Sequence, residues 1–78
     1  MPCYYTRLIN AVADSIDDGV EFKSVEEATS AAVFASLDFA KELLKSGESL
    51  PHIEVVISDE VRVVARRLVT VSIANLEA

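Results

Sequence analysis

The sequence predicts an α+β fold. It has two layers, with a three- or four-stranded antiparallel sheet and one long helix packed on one face, in ββαββ-like order. Three observations carry this. A central stretch has a helix start signal, a helical apolar period and a stop signal. The segments on either side alternate apolar and polar residues and are rich in Val, Ile and Tyr. The chain has 78 residues, 51% of them hydrophobic, with only 2 glycines and 2 prolines, which fits a single domain over 1–78 rather than disorder.

Cys3 to Ile9 reads as the first strand, since Tyr4, Tyr5 and Thr6 have high β-propensity. Tyr4, Thr6 and Leu8 form its inward set, because the other set contains Arg7, which is costly to bury. Ala11 to Ile16 is a short second strand. Asp17-Asp18-Gly19 is a turn, and Val20-Glu21-Phe22 alternates after it, so a hairpin or short meander is expected over 3–22.

Ser24-Val25-Glu26-Glu27 is a capping box. Ser24 can accept from the Glu27 N–H and Glu27 can reach back to the Ser24 N–H. The helix runs to about Ser46, with Gly47 as its C′ residue and Lys41 and Lys45 near its negative end. At 100° per residue, Val25, Ala28, Ala32, Ala35, Phe39, Ala40 and Leu43 share a broad apolar face. Val33, Leu37 and Leu44 form a second stripe with Phe34 at its edge, and one sheet is not expected to cover both.

Ile53 to Ser58 is a strand with Ile53, Val55 and Ile57 on one face, and Ser58-Asp59-Glu60 is a turn. Val61, Val63, Ala65, Val69, Val71 and Ile73 are in phase, but Arg67 breaks the pattern. A bulge near Arg66–Arg67 or a bend is therefore expected in this long run. Asn75 to Ala78 reads as a frayed tail.

Composition excludes several functions. No apolar run reaches the length of a membrane span, and no basic-then-apolar start marks a signal peptide, so a cytoplasmic, non-membrane protein is expected. The formal net charge is −6, and the densest acidic part, Asp14 to Glu27, sets Asp14, Asp17, Asp18, Glu21, Glu26 and Glu27 against Lys23 alone; such a surface repels phosphate backbones, so no nucleic-acid partner is expected. Cys3 is the only cysteine and His52 the only histidine, so an intrachain disulfide and the usual zinc sets are absent.

Several segments also carry a resemblance. They are Met1-Pro2-x-Tyr4-Tyr5, Asp17-Asp18-Gly19-Val20-Glu21-Phe22, Ser24-x-Glu26-Glu27-Ala28, Leu43-Leu44-x-x-Gly47, Ile53-Glu54-Val55 and Ser58-Asp59-Glu60. Together they resemble a family of small uncharacterised proteobacterial proteins of rhizobial type, which implies a fold and a source but no activity. The sequence departs from that family at Thr6, where an aromatic is usual, and at Val61-Arg62, where a glycine is usual. Residues 4–44 are also similar to antitoxins that neutralise RNA-cleaving toxins, but lack their Pro-Asp-x-Pro-Gly segment before the helix.

Candidate sites are few. Asp14, Asp17, Asp18 and Glu21 offer oxygen ligands without the spacing of an EF-hand, and turn chemistry accounts for them. His52 has no nucleophile partner that spacing reveals, Cys3 reads as a small buried hydrophobe, and Arg66 and Arg67 read as guards of an edge strand. No catalytic residue, metal or cofactor is expected. A core this small rarely supplies more than about 3–5 kcal/mol, so a partner chain is the expected supplement. The sequence therefore points to a non-enzymatic homodimeric interaction module. Its interface is expected at Val33, Phe34, Leu37 and Leu44, with the open sheet face as the other candidate. The alternative is an antitoxin-like or regulatory protein that binds a basic protein partner.

Overall fold

The computed structural model describes residues 1–77. Its elements are β1 (Cys3–Asn10), β2 (Ala13–Ile16), β3 (Val20–Glu21), α1 (Val25–Lys45), β4 (His52–Ser58) and β5 (Val63–Thr70). All strand pairs are antiparallel, and the sheet runs β2-β1-β4-β5, with β3 also pairing to β1. The architecture is the expected α+β one, a single helix against an open antiparallel sheet. The sheet has five strands because the Val20–Glu21 run pairs with Cys3 and Tyr4 beyond the end of β2.

The β1–β2 hairpin turns at Ala11–Val12 without any positive φ, so it lacks the left-handed pair usual in two-residue hairpins. Asn10 ties the turn down. Its Oδ1 accepts from Val12 N at 3.0 Å and its Nδ2 donates to the His52 carbonyl at 2.8 Å. Asp17 holds the second turn, where its Oδ1 accepts from Thr6 N at 3.0 Å and from Gly19 N at 3.1 Å.

The core lies between α1 and the middle of the sheet. Ile53, Val55 and Ile57 are fully buried, and Thr6 and Leu8 lie opposite Ile57 and Val55, which places the Tyr4, Thr6, Leu8 set on the helix side as expected. Burying each such β4 side chain contributes about 1.5–3 kcal/mol. Tyr4 is buried too, with the Phe22 ring 6.4 Å away centroid to centroid.

Both helix ends follow the sequence closely. Ser24 Oγ accepts from Glu27 N at 3.1 Å. The return bond of the capping box shifts by one residue, since Glu27 Oε1 accepts from Lys23 N at 3.5 Å instead of Ser24 N. At the far end Gly47 N donates to the Leu44 carbonyl and Glu48 N to the Leu43 carbonyl, the two bonds of a Schellman motif, with Gly47 at φ 104°.

The buried face of α1 differs from the expected one in three positions. Ala35 is exposed, and Ser36 and Thr29 are buried. The helix is rolled so that Ser36 rests on the sheet while Ala35 stands beside a groove. Burial is tolerated because each hydroxyl donates to a carbonyl of the preceding turn, Ser36 to Val33 at 2.6 Å and Thr29 to Val25 at 2.7 Å.

In β5 the irregularity lies at Val64, not at Arg66–Arg67. Ile57 pairs with Ala65 and Ser58 with Val63, which leaves Val64 unpaired. Both Val64 and Ala65 pack against the core, whereas Val63 is 50% exposed. Arg67 breaks the apolar phase without breaking the strand, because it lies opposite Val55 on the helix side. Pairing ends at Thr70, earlier than the expected Ile73, and Val71 N still reaches the Pro51 carbonyl at 3.1 Å. Of the tail expected over 75–78, residues 75–77 are exposed without regular structure, and residue 78 lies outside the described residues.

Candidate interaction surface

The position of α1 on the sheet decides what each of its flanks can do. Ala31, Ala32 and Ala35 border an open groove of about 350 Å³ whose far wall is Thr6 and Leu8 of β1 and Ile16 of β2. That flank therefore faces β1 and β2. Val33, Leu37 and Leu44 lie on the other side of the buried stripe at 100° per residue, above β5.

This second flank carries the apolar surface that the sequence marks. Val33 and Leu44 are half-buried by the chain itself, Leu37 is 41% exposed and Phe34, near the top of the helix, is 69% exposed. Below them runs β5, which pairs with β4 on one side. Its other edge pairs with no strand among the described residues. Helix stripe and strand edge thus form one side of the molecule. The sequence marks the stripe through its period but not the edge, because strand order is a long-range property.

The sheet face away from the helix is mixed, with Tyr5, Ile9, Val56 and the exposed Leu68 set among two ion pairs. Arg7 Nε donates to Asp14 Oδ1 at 2.9 Å and Arg7 Nη2 to Asp14 Oδ2 at 2.5 Å. Arg66 donates through Nε, at 3.0 Å, and through Nη2 to Glu54 Oε2. The hydrogen bond from Arg7 holds the Asp14 carboxyl below its ordinary value, and Asp14 in turn raises the Arg7 guanidinium. Exposed pairs of this kind contribute little to stability, but they keep the face hydrated.

The remaining candidates stay apart. Asp17 is occupied with its turn and Asp14 with Arg7, and among the described residues no three His, Cys, Asp or Glu side chains come together to hold a metal ion. His52 is exposed at the start of β4, and Cys3 is half-buried on β1. The groove beside Ala31 is lined by the polar residues Thr6, Ser15 and Asp17, of which the carboxylate Oδ1 already accepts two backbone bonds. No helix of the described residues is long and apolar enough to cross a membrane. Comparison of the chain with protein-family models, with curated proteins and with solved structures finds no match.

Proposed function

We propose that the chain is a non-enzymatic interaction module that works as a homodimer, with the flank of α1 around Leu37 at its interface. The observation that carries this is the exposure of Leu37 beside the half-buried Val33 and Leu44 on the side where the sheet also ends, with exposed Phe34 next to them near the top of the helix. The open sheet face is the weaker candidate. A partner there would have to cover the Arg7–Asp14 and Arg66–Glu54 pairs and strip them of water, which costs several kcal/mol per ion in a dry interface.

The test is sedimentation of wild type and Leu37→Glu. Because Leu37 is part-exposed, the charged side chain is accommodated in a folded single chain, which circular dichroism checks. Wild type is expected at twice 8.5 kDa at micromolar concentration and Leu37→Glu at 8.5 kDa. A variant that dimerises as well as wild type removes this flank from the interface.

A second reading has one observation in its favour. Asp18, Glu21, Glu26 and Glu27 are all exposed around the start of α1, a surface suited to a basic protein partner. Salt-sensitive co-purification with a basic protein from the native host supports this reading, and repeated return of none counts against it.

A further inference from the structure

The two ends of the sheet differ in what they offer a partner strand. At the β2 end the strand has four residues, and where it stops Asp17 takes both backbone groups of Thr6, its Oδ1 accepting from Thr6 N and its N–H donating to the Thr6 carbonyl at 3.1 Å. At the other end β5 offers eight residues of edge, and residues 71–77 continue past the sheet, with Ile73 69% exposed and Leu76 89% exposed. Such an edge is a template for another strand.

We propose, resting on the homodimer above, that β5 pairs antiparallel with β5 of a second copy about a two-fold axis at Leu68. The two sheets then become one, and the Leu37 flanks of the two helices lie side by side on the same face. Directly opposed residues in an antiparallel pair share a face, so helices on a common face require an axis that passes through a residue rather than between two. An axis at Arg66 or Arg67 sets arginine against arginine, which is unfavourable. An axis at Leu68 sets Leu68 against Leu68, Arg67 against Val69 and Ala65 against Val71. It covers Leu68, 68% exposed in the single chain, and gives the chain beyond Thr70 a strand to pair with. The Arg67 Nη1, which donates to the Arg66 carbonyl at 2.8 Å on the free edge, shares or releases that carbonyl when Arg66 pairs with Thr70 of the second copy.

The surface of the single chain has room for this. A monomeric protein of 8.5 kDa exposes about 4,700 Å². This chain exposes 5498 Å², with the strip, the edge and the overhanging tail all contributing. The excess of roughly 800 Å² is of the size of one partner's share of a standard interface, and it includes exposed Val12, Ile16 and Val61 away from the β5 edge. The radius of gyration is 14.1 Å against about 11.5 Å for a compact chain of this length, because the molecule is elongated, 51 × 23 × 15 Å.

Cross-linking tests the axis. Leu68→Cys in a Cys3→Ser background, treated with a short bis-maleimide, is expected to convert most of the chain into a covalent dimer. Glu60→Cys in the same background is expected to stay single, since an axis at Leu68 holds the two copies of residue 63 about 30 Å apart along the strands and residue 60 lies in the turn beyond them. A chain that sediments as a dimer, yet does not cross-link at Leu68 or cross-links equally at Glu60, overturns the strand pairing while the homodimer stands. A Cys3→Ser chain that sediments as a monomer at tens of micromolar overturns both.

Discussion

Gly19 sits at φ 97° in the turn between β2 and β3, and a Cβ there would stand 2.8 Å from Cys3 Sγ and 2.8 Å from Tyr5 Cε1. Gly47 has a similar φ of 104°, but nothing lies within 4 Å of its Cβ position. Gly47→Ala is therefore expected to cost about 1–2 kcal/mol, the left-handed strain alone. Gly19→Ala adds a clash of about 1–3 kcal/mol unless the Tyr5 ring swings away. Urea unfolding of the two variants checks the order, and a larger loss at Gly47 contradicts it. Asp59 governs a different dependence. Backbone hydrogen bonds from Arg62 at 2.8 Å and Val61 at 2.7 Å hold its carboxyl below the ordinary value. The folded state thus binds fewer protons than the unfolded chain just below about pH 4, so the stabilisation is present at neutral pH and is lost as pH falls through the folded value. Asp59→Asn keeps an acceptor and removes the titration. The acid limb of its urea midpoint is expected to be shallower than that of wild type, and an unchanged limb contradicts the assignment. Both turns were legible in the sequence, since Asp and Gly act on their own neighbours. The Ala11–Val12 turn was not, because its stabilising bond to His52 comes from a residue distant in sequence.

At the scale of elements, α1 shows the same division between local and long-range information. Its caps involve residues within five positions of each other and could be read directly. Its buried face could be read only in part, because the roll of the helix depends on where the sheet lies. Ser36 is the consequence, a polar residue fully buried where the helix approaches β4 closely. Ser36→Ala is expected to change stability by less than about 1 kcal/mol, since the Val33 carbonyl remains in the helix ladder. Ser36→Leu is expected to cost about 1–3 kcal/mol or more through overpacking. Thermal unfolding of the pair separates a requirement for small size from a requirement for the hydroxyl, and a stable Ser36→Leu contradicts the close approach. The bulge at Val64 was displaced from its expected position for a related reason. It is set by the register of β4 against β5, and the arginine pair that marks a break in the apolar phase lies on a regular stretch of ladder.

For the whole molecule, the question is where the apolar half of a short acidic chain goes. The central strand β4 and one face of α1 take up part of it. Much of the rest stands on the Leu37 flank, at Leu68 and along the overhang past Thr70, beside the edge of β5 that pairs with no strand among the described residues, and some stands elsewhere, at Met1, Val12, Ile16 and Val61. The other side ends in a short strand beside acidic turns. The proposed homodimer, closed about a two-fold axis, would cover the Leu37 flank and Leu68 and leave the acidic turns in water, together with Val12 and Ile16. The most direct measurement is sedimentation equilibrium of the unmodified chain across the low micromolar range. A homodimer gives a mass of twice 8.5 kDa. A mass of 8.5 kDa that holds up to tens of micromolar contradicts it.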